Sequence, residues 1–289
     1  MGSAPCVRTA DQQPTNAGKR VIAPSALEGQ ARHRLIPASD SPTRVRFLFA
    51  LRPRLVHRRR ELKASVQYHL CVTKPALTIE ALQRSAAEFA DLEKAYGEPL
   101  LYGVTDGKAV GTYLEQKFRR YLAERYAFDE GNSAKGIDFP SLDVDTKTTS
   151  VRQPQSSCPF KSGRQKIFGL GYSLLVFVYE KSDDHDAKTG RLDIQHVIFV
   201  EAARTGDFQM TRGLREVVEK DGNVDDLMAF MFDKQLPVDE IEAKRLAKEI
   251  LGNKPEQGYL TISNALQWRL QYSRVIDQAG SVSGVVRVR

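Results

Sequence analysis

Apolar residues recur at helical spacing in two stretches of the chain. Over 78–96, Ile79, Leu82, Ala86, Phe89 and Leu92 fall on one face, Thr78 offers an N-cap, and Gly97 with Pro99 closes the helix. Over 104–122, Val110, Tyr113, Leu114, Phe118, Tyr121 and Leu122 form a second stripe behind a capping Asp106. Gly111 interrupts that stripe, which predicts a close backbone approach, and Glu115 follows one turn later on the same side. The period then drops to two. Leu142, Val144 and Thr146 alternate with Asp143, Asp145 and Lys147, so Asp145 and Lys147 share one strand face. A hairpin across Pro140 returns Asp138 opposite Asp145. The unbroken apolar run Ser173–Tyr179 predicts a strand covered on both faces, 182–190 a polar loop, and His196–Glu201 another strand. Helical patterns follow over 161–169, 210–220, 226–234, 239–251 and 261–274, the last with Ser263 or Asn264 near its start. Residues 66–72 suit a short strand or helix, and 280–289 a short β segment. The expected class is α/β, with no internal repeat.

Composition narrows this picture. With 41% hydrophobic and 27% charged residues, the chain has an ordinary globular make-up. No apolar run approaches the ~18 residues of a membrane span. Three widely spaced cysteines and five scattered histidines argue against a disulfide framework and a structural zinc site, and point to a reducing, cytoplasmic setting. Cys158 lacks a catalytic partner in the sequence. The net charge of +7 is unevenly spread. Residues 1–64 hold 13 basic against 4 acidic side chains, a net +9, and the remainder 30 against 32, a net −2. Residues 1–61 show neither period and are expected to be disordered. They suit a basic arm (Arg52, Arg54, Arg58, Arg59, Arg60), a targeting peptide without a clear apolar core, or sequence upstream of a mis-called start, the reading favoured here. The expected domain spans 62–289.

The chemistry lies in the alternating stretch. An acidic-x-Lys pair starts at Glu61, Asp106, Glu115, Asp145, Asp186 and Glu242, so the pattern alone is weak. Only Asp145 and Lys147 stand on a strand, and Asp138 precedes them by seven residues. The plain alternative is an edge strand with solvated charges. Phosphodiester hydrolysis needs this set: two carboxylates for a hard divalent metal, and a cation to orient water or stabilise developing charge.

Asp138 followed by Asp145-Thr-Lys147 resembles the PD-(D/E)xK nuclease superfamily, which implies the α/β restriction-endonuclease-like fold, a mixed β-sheet flanked by helices. The run from Gly107 to Glu115, with Asp138 to Thr148 about twenty residues on, is similar to the MutH-like branch. The resemblance covers roughly 104–200. It departs at Asp145, where that branch has Glu, and at Ile137, where the superfamily pattern has Pro. It implies that Glu115 joins Asp138 and Asp145 at Mg²⁺, that Lys147 is catalytic, and that Lys166 is a further lysine of the site. The implied activity is that of a Mg²⁺-dependent type II restriction endonuclease cutting double-stranded DNA. A MutH-like nicking or repair endonuclease and a catalytically silent DNA-binding module are the alternatives. A nuclease core over 104–205, a helical recognition and dimerisation extension over 206–289, a homodimer on a palindromic target, and a cognate DNA methyltransferase in the same system (not as a stable subunit) complete the expectation. The loop after the catalytic strand is rich in amides, hydroxyls and cations, which makes Arg152, Lys161 and Arg164 phosphate candidates. The expected C-terminal helix with Trp268, Arg269 and Arg274 suits base readout or core packing.

Overall fold

The computed structural model describes residues 74–129, 131, 136–157, 162–263 and 268–289. The basic segment 1–61, the element expected over 66–72, all three cysteines, Lys161 and Asn264 lie outside the described residues.

The first stripe becomes helix α1, Ile79–Lys94, with Thr78 Oγ1 accepting from Ala81 N. Its buried face carries Leu82, Ala86, Phe89 and Ala90, whereas Leu92 is 59% exposed, contrary to expectation. Leu92 drifts off the stripe because Ala90 and Glu93 take the inward positions on the last turn. Strand β1 is Gly97–Glu98. Helix α2, Gly107–Ala123, starts at Asp106, whose carboxylate accepts from Lys108 N and Ala109 N. Strand β2 is Val144–Ser150, β3 is Gln155–Ser157, and helix α3 is Gly163–Phe168.

Strands β4, Ser173–Asp184, and β5, Thr189–Val200, form a long antiparallel hairpin. The polar loop expected over 182–190 therefore shrinks to a four-residue turn, with Lys188 at φ 53°. Polar alternation hid the outer half of this hairpin, where the strands leave the core. Helices α4, Phe208–Glu219, α5, Val224–Asp233, and α6, Glu240–Gly252, follow as their periodicity requires. The helix expected over 261–274 is replaced by strands β6, Thr261–Ser263, and β7, Arg269–Gln271, before a short α7, Ser273–Gln278. Strand β8 is Val285–Arg287. The extension after 206 is thus helical from α4 to Gly252 and again only in the short α7.

The main sheet runs β1-β5-β4-β2, with β8 also pairing to β5. It is mixed, because β2 lies parallel to β4 while the other pairings are antiparallel. Strand β4 is buried on both faces, as its continuous apolar run requires. Leu175 and Phe177 pack with α1 and α2, and Leu174, Val176 and Val178 face a second core. A smaller sheet, β3-β7-β6, seals that second core through Ile262 and Leu270. Helices α3 to α6 enclose a third core around Leu214, Leu227 and Leu246. Asp207 ties this helical layer to the small sheet, accepting 2.8 Å bonds from Met210 N and Ile262 N. Among the described residues no helix is long and apolar enough to cross a membrane.

Candidate active site

Strand β2 is an edge of the main sheet, so the outward amides of its backbone need other partners. The segment before it supplies one. Phe139 and Val144 form a single antiparallel bridge around a 3-10 turn, Pro140–Leu142. Asp143 closes that turn in the left-handed region, φ 50°, a conformation aspartate tolerates better than most residues. The reversal returns Asp138 to β2, where its Oδ2 accepts from Thr146 N at 3.0 Å. The expected hairpin is therefore one bridge and one side-chain bond, and the ladder partner of β2 is β4. Asp143 belongs to the turn rather than to the strand face it was expected to share.

Asp145 and Lys147 do share a face. Asp145 is 3% exposed, and its Oδ2 lies 2.6 Å from Lys147 Nζ. This ion pair is the oxygen's contact in the structure, and no hydrogen bond of good geometry from any other described residue reaches it. Asp138 is held on its other side by Arg119 Nη2, at 3.3 Å from Oδ1. Arg119 stands one turn beyond Glu115 on α2. Its guanidinium reaches off the helix to Asp138. Arg119 is the residue the sequence reading missed.

Glu115 enters from α2 and meets the same charges. Burial, and next the Asp138 carboxylate, push its pKa up to about 7; Asp145 adds to the rise, while Lys147 and Arg119 oppose it. Burial also raises Asp145 above the ordinary carboxylate range, although the adjacent Lys147 ammonium works against the rise. Asp138, Asp145, Glu115 and Lys147 thus gather at one place. Three acidic groups repelling one another, one of them buried with a single ammonium beside it, suit a hard cation. Among the described residues no three His, Cys, Asp or Glu side chains are grouped closely enough to hold a metal by themselves. Magnesium does not require such a cage: one or two carboxylates plus substrate phosphate oxygens are its usual protein sites.

A cleft of about 1040 Å³ opens beside the cluster, lined by Glu115 and Lys147. Lys108, Arg152, Lys181 and Arg269 also face it, against Asp106 and Asp183. The net charge of the 65–289 region is slightly negative, yet this concavity is basic. The phosphate candidates separate on this surface. Arg152 lies on the cleft with an exposed side chain, 3.8 Å from Glu180. Arg164 instead grips Glu249 of α6 at 2.6 Å and stacks on Phe168, so its guanidinium is engaged in joining helices. Lys166 is buried, its pKa is lowered by burial, and the nearby charge opposing that change is Asp207. Of the C-terminal candidates, Trp268 packs on the second core and Arg274 stacks on Phe208, while Arg269 reaches the cleft from a strand.

Comparison with known proteins gives the family. The family model described as "Type II restriction enzyme NspV" matches residues 76–287. The chain belongs to the NspV family of type II restriction enzymes. It is 66% identical over 212 residues to the type II restriction enzyme NspV of Nostoc sp. (strain ATCC 29411 / PCC 7524), spanning 73% of this chain and 96% of the relative. No solved structure matches. Membership makes the protein an endodeoxyribonuclease that acts on DNA, and enzymes of this type generally need a divalent metal. The matched region contains every described element of the candidate site.

Proposed function

We propose that the enzyme hydrolyses phosphodiester bonds of double-stranded DNA at a specific sequence with Mg²⁺, using Asp138, Asp145, Glu115 and Lys147. The observation that carries this reading is the convergence of these four side chains at the edge strand, on the lip of a basic cleft. Asp138 and Asp145 would hold the metal with Glu115 beside them. Bound there, the ion would neutralise phosphate charge and acidify a water. Lys147 points its ammonium from the strand face next to Asp145, where it can bond the attacking water or a phosphate oxygen. Arg119 and Thr146 N fix the Asp138 carboxylate, which keeps one acceptor from swinging away from the site. Arg152 and Lys108 supply sequence-independent attraction for the phosphate backbone along the cleft.

The enzyme acts as a homodimer on a palindromic target, in the cytoplasm, within a system that also encodes a methyltransferase protecting the same sequence. Residues 62–289 carry the activity.

Asp138→Ala and Lys147→Ala should each lower Mg²⁺-dependent cleavage of a mapped plasmid by a factor of about 10³ or more, while duplex binding in Ca²⁺ persists. Cleavage surviving in either variant at more than about a tenth of the wild-type rate would show that the site is elsewhere.

A further inference from the structure

The small sheet β3-β7-β6 has an outer face that the proposed chemistry does not use. Leu270 and Ile262 point into the second core, so their neighbours on each strand point outward. The register places Arg269 beside Ser157 and Ser263, and Gln271 beside Gln155 and Thr261. These six side chains form a patch of amides, hydroxyls and one guanidinium, with no carboxylate. Three strands span about 10 Å, close to the ~12 Å width of a DNA major groove. Gln155, Ser157 and Arg269 line the same cleft as Lys147.

The patch is fastened to the catalytic strand. Thr149, on β2, donates its hydroxyl to the Gln155 carbonyl at 3.1 Å and the Gln153 carbonyl at 3.3 Å. Tyr272 N donates to Pro154 O at 2.8 Å, and the Tyr272 and Ser156 hydroxyls lie 2.7 Å apart. The backbone of the patch is therefore fixed by its own contacts, while Arg269 is exposed and makes no ion pair or hydrogen bond to a described residue. An unpaired guanidinium on a rigid strand is poor as a structural element and well suited to bidentate recognition.

We infer that the outer face of this sheet lies in the major groove of the target and reads its bases, with Arg269 recognising a guanine and Gln155 an adenine. Arg269 matches the paired acceptors O6 and N7 of guanine, and the Gln155 amide matches N6 and N7 of adenine. The tie through Thr149 sets a fixed spacing between the bases read and the bond cut at Lys147. This inference rests on the nuclease reading above and adds the residues that choose the sequence.

The test uses the full chain with Mg²⁺, the target found by plasmid digestion, and duplexes carrying each single base-pair change in it. Arg269→Ala should slow cleavage of the target and shrink the mismatch penalty by about 10- to 100-fold at one G·C pair and its symmetry mate, leaving the other positions as in wild type. Arg269→Lys should keep part of that discrimination, since an ammonium still donates to O6 and N7 but without the guanidinium's fixed fork. Gln155→Ala should do the equivalent at an A·T pair. Lys108→Ala should instead slow every duplex alike. A target without a G·C pair, uniform loss in Arg269→Ala, or wild-type discrimination in Arg269→Ala would overturn the inference alone. A wild-type chain that cuts no duplex would overturn the nuclease reading and this one with it.

Discussion

At the scale of single residues, the cost of assembling the site is written in Glu115. A buried carboxylate near two others keeps its proton to about pH 7, whereas in the unfolded chain it is released near 4.5. Between those values the folded state binds more protons than the unfolded one, so stability falls as pH rises. The full loss from this one group is roughly 3 kcal/mol above pH 7 and vanishes below about pH 4.5. Asp145, also raised, acts in the same direction. Chemical denaturation in EDTA should therefore show metal-free wild type weakening between pH 5 and 8 more steeply than Glu115→Gln, with the two converging at the acidic end. Equal slopes would mean that Glu115 is ionised in the folded protein throughout. The proposed magnesium site would oppose this loss, because a divalent cation offsets the repulsion that raises these groups.

At the scale of elements, Gly111 decides how near α2 comes to β2, and with it where Glu115 stands. The sequence pointed to a tight approach. The structure is looser: a Cβ at Gly111 would sit 3.7 Å from Thr148 Cβ, ordinary contact. Gly111→Ala should then be neutral or stabilise by up to about 1 kcal/mol through helix propensity, with cleavage retained. Gly111→Leu should push the helix off the strand and lower kcat at least tenfold, while melting shifts by only a few degrees. These outcomes are read from a thermal melt and a plasmid assay. Periodicity made α2 and β2 legible because each buries one face against the same core and so repeats its own period. It failed over 261–274, where β6 and β7 are three residues each and place only Ile262 and Leu270 inward. Two strands that short leave too few alternations to outweigh a helical pattern. Asp138, Asp145, Lys147 and Glu115 could be picked out as one chemical set, but Arg119 could not, since its partner lies across the turn. Arg164 stood as a phosphate candidate and Lys166 as a further lysine of the site because sequence does not reveal that α3 packs against α6 and α4.

At the scale of the molecule, the proposed DNA surface and the overall charge disagree, and that disagreement yields a test of the first 61 residues. The chain's excess of positive charge lies in residues 1–64, yet the family match begins at residue 76 and the aligned region covers 96% of the relative. Beside the catalytic Lys147 and the base-reading Arg269, the cleft offers Lys108, Arg152 and Lys181 to the phosphate backbone, all inside the match. If those groups supply the phosphate contacts, deleting residues 1–61, and with them 12 basic side chains, leaves sequence-specific cleavage intact. The dependence of DNA affinity on salt is the sharper measure. Each phosphate contact adds about 0.9 to the slope of log K against log salt concentration, so losing even four contacts of a basic arm would flatten it by roughly 3.6. Binding to the target in Ca²⁺ across 50 to 200 mM salt should give slopes within about one unit for the full and shortened chains. A drop of several units would assign the arm to the DNA and move part of the binding energy out of the cleft.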